Sequence, residues 1–358
     1  MAEITADHQT SRWTRACACC TPVPSRRTFL GAAAALGVAP FAPAAEPTHA
    51  VQARRTIDIH HHFEPTFRNI DDNVWSIDFA LEQLDRNHID TAIAYAGPVL
   101  DMDANAARKK ARHWNEWSTQ LCNDHPGRFG LFASLPMNDV EGALTEIAYA
   151  CDVLKADGFG ISTQYQDAWL GDARFEPIFR ELDRRKSVVF VHPSQAPCCT
   201  PSTLSYETGA ISAPWIEFPT NTARTILSLW ASGTTRRLPD VRFIFCHGGG
   251  VMPALLGRLT GFDGWRGVGA QKMKALFPDG VYAEFAKLHF DCAQAYAPEE
   301  FELLRKVVPT SNLLFGSDFS YFEIDHAVRQ FAALEMSPDV RRAIRGGNAA
   351  ALLPRWQA

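Results

Sequence analysis

No stretch of the 358-residue sequence is both long and apolar enough to read as a membrane-spanning helix, so a helical membrane protein is not expected. A basic excess is also missing. Lys and Arg number 35 against 40 Asp and Glu, a net charge of −5, which removes the basic stripe that a nucleic-acid binder normally shows. Nine cysteines scattered over such a length do not make a disulfide framework. Two nucleotide and hydrolase signatures are absent as well. No G-x-G-x-x-G follows the first strand candidate, and no G-x-S-x-G nucleophile elbow occurs anywhere. What is present is 46% hydrophobic and 21% charged residues, enough for a well-buried core. A small molecule is the default partner.

The first 45 residues do not read as part of the fold. Ser25-Arg26-Arg27-Thr28-Phe29-Leu30 precedes a small apolar run, Gly31 to Ala42, and Ala42-Pro43-Ala44 offers a cleavage site. This order resembles a twin-arginine export signal. It implies the twin-arginine export machinery as a partner, a mature chain over 46–358, and a periplasmic or secreted location; without the signal the protein would be cytoplasmic. Cys17, Cys19 and Cys20 fall in this segment. Cys122, Cys151, Cys198, Cys199, Cys246 and Cys292 are expected to be structural or incidental, since the adjacent pair Cys198-Cys199 could bridge only with strain.

From Thr56 onward, short β-branched or aromatic runs alternate with helical periods. Strands are expected at Thr56–His62, Asp90–Tyr95, Phe129–Ser134, Gly158–Thr163, Val188–His192, Arg242–His247, His289–Cys292 and Leu313–Asp318. Helices are expected at Ile77–Asn87, Ala104–Asn123, Val140–Leu154, Pro177–Arg185, Asn221–Ser232, Val251–Leu259, Pro298–Val307 and Asp325–Leu334. Eight alternations without a break in composition predict a single α/β domain, a (β/α)8 TIM barrel. The long insertions, Gln164–Asp172, Pro193–Pro219 and Thr260–Leu288, are all expected near the carboxyl ends of the strands.

The first strand carries Thr56-Ile57-Asp58-Ile59-His60-His61-His62-Phe63. Strict alternation puts Asp58, His60 and His62 on one face and Ile57, Ile59, His61 and Phe63 on the other. If the apolar set faces the helices, His60 and His62 point inward, and two imidazoles at i and i+2 can meet on one ion. Three other strands end in polar residues: His192 after V-V-F-V, His247 after R-F-I-F-C, and Asp318 after L-L-F-G-S. On a barrel these ends ring one pocket. An ion held by His60, His62, His192 and Asp318, with His247 beside an open position, is a catalytic arrangement. The glycines after His247 are expected to let the backbone pass close to substrate.

These residues resemble the amidohydrolase superfamily, and within it the branch of aminocarboxymuconate semialdehyde, 6-methylsalicylate and other aromatic-acid decarboxylases. The resemblance rests on D-I-H-H-H-F-E-P, on W-L-G-D-A-R-F-E-P through V-V-F-V-H-P, on E-F-P-T-N-T-A-R, on L-P-D-V-R-F-I-F-C-H-G-G-G-V-M-P and on N-L-L-F-G-S-D-F, and it spans Thr56 to Leu353. It implies His60, His62, His192 and Asp318 as metal ligands, with His247 and Asp318 in catalysis. The lysine used by binuclear members is missing from the fourth strand, which implies one divalent ion. Zn²⁺ suits the donors, and Mn²⁺ is possible. The resemblance further implies decarboxylation of a small aromatic or enoic acid, with Arg258 on the substrate carboxylate, in some members from a neighbouring subunit of a homodimer or higher homo-oligomer. Glu217 and Trp169 are further substrate-binding candidates, Arg224 a weaker one, and Phe63 and Trp215 could add an aromatic wall. Two rival readings remain open at this point: a metal-dependent hydrolase of a lactone, ester or amide, and a non-catalytic periplasmic metal-binding protein.

Overall fold

A computed structural model describes residues 55–63, 75–100, 102–197, 213–261 and 268–357. The proposed export signal and the Cys198-Cys199 pair lie outside the described residues. Eight parallel strands form the barrel: β1 (Ile57–His62), β2 (Thr91–Tyr95), β3 (Phe129–Ser134), β4 (Gly158–Ser162), β5 (Val188–His192), β6 (Arg242–Phe245), β7 (His289–Asp291) and β8 (Leu313–Leu314). Neighbours in sequence are neighbours in the sheet. Closure comes from β1 meeting the segment after β8, where Ile59 N donates to Phe315 O at 3.0 Å and Asp318 N donates to His60 O at 2.9 Å. The barrel expectation is met.

Helices alternate with the strands: α1 (Ile77–Arg86), α2 (Ala104–Asp124), α3 (Val140–Tyr149), α4 (Glu176–Arg184), α5 (Ala213–Ser232), α6 (Met252–Thr260), α7 (Pro298–Val307) and α8 (Ile324–Ala333). Their starts follow local chemistry. Ser76, Asp103 and Asp139 each accept a backbone N–H of the first turn, satisfying donors that the helix itself leaves open. Two apolar layers result. Ala92, Ala94, Leu131, Ile161, Val189 and Phe243 face the helices, whereas Ile93, Phe132, Val188, Phe190, Ile244 and Leu314 fill the barrel. Ala349, Leu353 and Trp356, near the carboxyl terminus, pack with that interior set.

Several expectations need correction. Strict alternation fails in β1, because Asp58 is level with Ala92 while His61 is level with Ala94, so β1 spends one extra residue between them. This bulge resets the side-chain parity. Ile57 and Ile59 therefore point into the barrel, not at the helices, and Asp58 faces outward with His61. His60 and His62 still both point inward, but because of the bulge and not because of simple alternation. Strands β6 and β8 also stop short of His247 and Asp318. Both residues sit in the left-handed region, at φ 55° and 61°, which no continuing strand can accommodate.

The helix expected from Asn221 begins at Ala213 and runs through Pro219. Glu217, inside the insertion expected over Pro193–Pro219, is thus helical, and the Pro219 carbonyl accepts a hydrogen bond from Val251 N at 3.2 Å. The helix expected to reach Leu154 stays α-helical only to Tyr149, then widens into a π turn over Ala150–Leu154. The third insertion is misplaced by the sequence reading. Its helix Val268–Leu276 gives its last carbonyls to Arg236, and Phe277 packs on Trp230 at the carboxyl end of α5. That end of an antiparallel outer helix lies at the amino end of the strands.

Candidate active site

The barrel brings His60, His62, His192 and Asp318 together, one ligand atom from each lying within 4.8 Å of the others. His60 Nε2 and His62 Nε2 are 3.2 Å apart, and each is 3.1 Å from Asp318 Oδ1. The outer nitrogens explain which way the lone pairs point. His192 Nδ1 donates to the Pro193 carbonyl at 2.8 Å, and His60 Nδ1 donates to Asp291 Oδ1 at 3.2 Å. With protons fixed on both Nδ1 atoms, the Nε2 atoms face the cluster as acceptors.

Acceptors converging on a carboxylate suit a cation between them. Nitrogen ligands about 2.0–2.1 Å from one tetrahedral ion stand roughly 3.3 Å apart, close to the observed separation. Burial and the neighbouring charges move each of these groups from its ordinary range. Burial pushes the His62 and His192 imidazoles down, and their neighbouring imidazoles push His192 further. Burial would lower His60 too, but Asp291 and Asp318 outweigh it and raise it well above the usual range. Burial would raise the Asp318 carboxyl, but the adjacent imidazoles of His60, His247 and His62 outweigh it and hold it well below the carboxylate range. With the buried Asp291 carboxylate beside them, His60, His62, His192 and Asp318 form a group that could hold a cation.

Asp318 also reaches the other way. Its Oδ2 lies 3.3 Å from His247 Nε2, so one carboxylate links the ligand cluster to the histidine beside it. His247 opens the run His247-Gly248-Gly249-Gly250, in which every residue has positive φ. A Cβ on Gly250 would come within 2.2 Å of the Pro219 carbonyl oxygen, so this loop can lie against α5 only with glycine there. Packing on α5 is therefore a reason for the glycine at 250.

A cavity of about 940 Å³ opens over the cluster, within the range of small-molecule sites. His62, His192, His247 and Asp318 lie in its wall, together with Phe63, Trp114, Trp215 and Phe218. Lys110, on α2 one turn before Trp114, is the lysine or arginine among the described lining residues. Gln294, Glu300 and Tyr321 also line it. Burial raises the Glu300 carboxyl, with His247 pulling it partly back.

Three sequence candidates are not brought to this wall. Arg258 is exposed in the last turn of α6. Glu217 is buried on α5, 3.6 Å from Arg224. Trp169 belongs to a two-stranded hairpin between β4 and β5, Gln164–Tyr165 with Ala168–Trp169, and its ring lies 6.0 Å from the Arg224 guanidinium. Lys110, Trp114 and Gln294 were missed. A lysine and a tryptophan four apart on the helix after β2 are a visible signal, but the same pattern occurs on many solvated helices.

An eight-stranded barrel whose strand ends gather three imidazoles and a carboxylate under a cavity defines a class, the TIM-barrel enzymes with a metal-type centre. The particular family follows from the sequence itself. The amidohydrolase family model matches residues 57–355, and the chain belongs to that family. It is 31% identical to "Decarboxylase yanB" of Aspergillus niger, over 84% of this chain and 88% of that one. It is 33% identical to a 6-methylsalicylic acid decarboxylase of Aspergillus aculeatus, over 76% of this chain and 86% of the relative. In three dimensions the barrel superimposes on a dihydroxybenzoic acid decarboxylase from Polaromonas, solved with manganese and 2-nitroresorcinol, with a TM-score of 0.73 and 21% identity, covering 84% of this chain and 97% of that one. By these relatives the chain is an enzyme, a carbon–carbon lyase of the decarboxylase kind.

Proposed function

We propose that the chain is a metal-dependent decarboxylase of a small aromatic carboxylic acid, with His247 as its proton-transfer residue. The observation that carries this reading is the convergence of His60, His62, His192, Asp318 and His247 at the base of one cavity. His60, His62, His192 and Asp318 would hold a single divalent ion. Three imidazoles and a carboxylate favour Zn²⁺, and Mn²⁺ is the other candidate. When bound, the ion supplies positive charge that orients substrate oxygens and offsets the charge that moves during bond cleavage.

The chain's own residues do the rest. Trp114, Phe218 and Phe63 give the aromatic ring an apolar wall, and Lys110 supplies a cation for an acidic substrate. Cleavage leaves the electron pair of the carbon–carbon bond on the ring carbon as CO2 departs, and His247 delivers the proton that this carbon takes up. Asp318 Oδ2 holds the His247 ring for that transfer. Arg258, exposed on one chain, reaches substrate on this reading only from a second copy, so the proposal includes a homodimer. A fully active monomer by light scattering would remove that part.

The test is CO2 release from a panel of hydroxybenzoates and methylsalicylates, run beside a lactone and ester panel after metal analysis of the purified protein. Turnover of an aromatic acid with one equivalent of metal supports the reading. Turnover of lactones alone makes the chain a hydrolase. Export by the twin-arginine route is a separate proposal resting on Ser25–Ala44. Cell fractionation that finds only cytosolic protein with an intact amino terminus overturns it.

A further inference from the structure

Asp291 ends β7, a strand to which the proposed reaction gives no role. Its side chain is fully buried. Oδ1 gathers three donors at once: His60 Nδ1 at 3.2 Å, the backbone N–H of His247 at 3.4 Å and that of Ala293 at 3.0 Å. Oδ2 is buried with no partner among the described residues. The Ala293 bond fixes the carboxylate to its own loop, and the other two reach β1 and the segment just past β6. One oxygen atom therefore touches both a proposed metal ligand and the backbone of the proposed proton-transfer residue.

We propose that Asp291 is the positioning residue of this centre, orienting the His60 imidazole as a metal donor and anchoring the loop that carries His247. The inference rests on the metal reading of His60, His62, His192 and Asp318. A carboxylate accepting from Nδ1 fixes the tautomer in which Nε2 is the donor, and it makes that nitrogen a stronger ligand. An amide in the same place keeps an acceptor for Nδ1–H but removes the charge. The same side chain also lies with His60 and Cys246 in a second group that could hold an ion. His60 would have to serve both groups, one through each ring nitrogen, and the hydrogen bond of Nδ1 to Asp291 occupies the second of these already.

The experiment is a competitive chelator titration of Zn²⁺ on wild type and Asp291→Asn, with metal stoichiometry by elemental analysis. Expected are one equivalent per chain and a metal Kd about 10- to 100-fold weaker in the variant, with an unchanged far-ultraviolet circular dichroism spectrum. An unchanged Kd in a variant that folds overturns the positioning role while leaving the metal reading intact. Two equivalents in wild type, one of them lost in Asp291→Asn, overturn it in favour of a second ion. A wild type that binds no metal overturns both. Should Asp291→Asn fail to fold, ¹⁵N-histidine spectra of the metal-loaded wild type decide. They should contain an exchange-protected Nδ1–H resonance that disappears in His60→Asn, and its absence overturns the proposal.

Discussion

The barrel interior has two halves that are built on different terms. The half toward the amino ends of the strands is a plug of Ile57, Ile59, Ile93, Phe132, Val188, Ile244 and Leu314, packed with Ala349 and Trp356. The half toward the carboxyl ends is a layer of imidazoles and carboxylates linked by directional contacts among His60, His62, His247, Asp291 and Asp318. The bulge in β1 is the border between them, turning the inward face from Ile59 to His60 without leaving the strand. Apolar contacts are non-directional, so the plug tolerates exchange at constant volume. The polar layer depends on atoms at fixed positions. Substitutions above the border should remove function while the fold survives, and substitutions below it should do the reverse.

The strongest challenge to this contrast is His60→Asn, which removes a proposed metal ligand and, among the described residues, the only imidazole that touches both Asp318 and Asp291. We expect loss of bound metal and a fall in kcat/KM of about 10³-fold or more, the equivalent of roughly 4 kcal/mol of transition-state stabilisation. A metal-replete, active His60→Asn protein would erase the distinction between the halves. His247→Ala cuts finer, because His247 lies beside the ligand set and not in it. Metal content should be retained while kcat falls about 10²- to 10³-fold, and near-normal turnover in the metal-loaded variant would end its assignment as proton carrier.

Below the border the expected signature is inverted. Ile244→Ala, fully buried in the plug, should lower unfolding free energy by about 2–5 kcal/mol while leaving kcat per folded molecule and metal content unchanged. Denaturant unfolding beside metal analysis reads both quantities, and metal loss without destabilisation would show that the plug governs the centre. Lys110→Met probes the cavity wall. KM for an acidic substrate should rise about tenfold, one tenfold step being about 1.4 kcal/mol, with kcat little changed. An unchanged KM would return the cation role to Arg258.

The eight strands were legible because β-branched runs repeat at barrel spacing, and the gathering of His60, His62, His192 and Asp318 because polar residues at strand ends have no packing explanation. The bulge was not legible. Ile57, Ile59 and Phe63 fit strict alternation on paper, and the extra residue shows only when Asp58 and His61 are matched to β2. The ends of β6 and β8 were overrun for a related reason, since nothing in the identities of His247 or Asp318 announces a left-handed backbone. Pro219 concealed eight residues of α5 by imitating a helix start. The cavity wall was least legible of all. Lys110 comes from the connection after β2, Gln294 and Glu300 from the one after β7, and only the closed barrel places them around one opening.

His61→Asn is the smallest perturbation and the sharpest test of the border, because it alters the outward residue between the two inward histidines. The His61 ring is fully buried, 4.9 Å from the Phe319 ring and 5.6 Å from that of Phe63, and its Nδ1 lies 3.3 Å from Asp58 Oδ2. The asparagine is smaller and leaves part of that aromatic contact unfilled. Asp58, however, keeps the Ser317 backbone N–H at 2.9 Å and the Ser317 hydroxyl, so its carboxylate is not stranded. We therefore expect a stability loss of about 1–3 kcal/mol, with metal content and kcat within twofold of wild type. Equal metal loss in His60→Asn, His61→Asn and His62→Asn would mean that the bulge does not separate the faces, and the inward geometry of the whole centre would have to be redrawn.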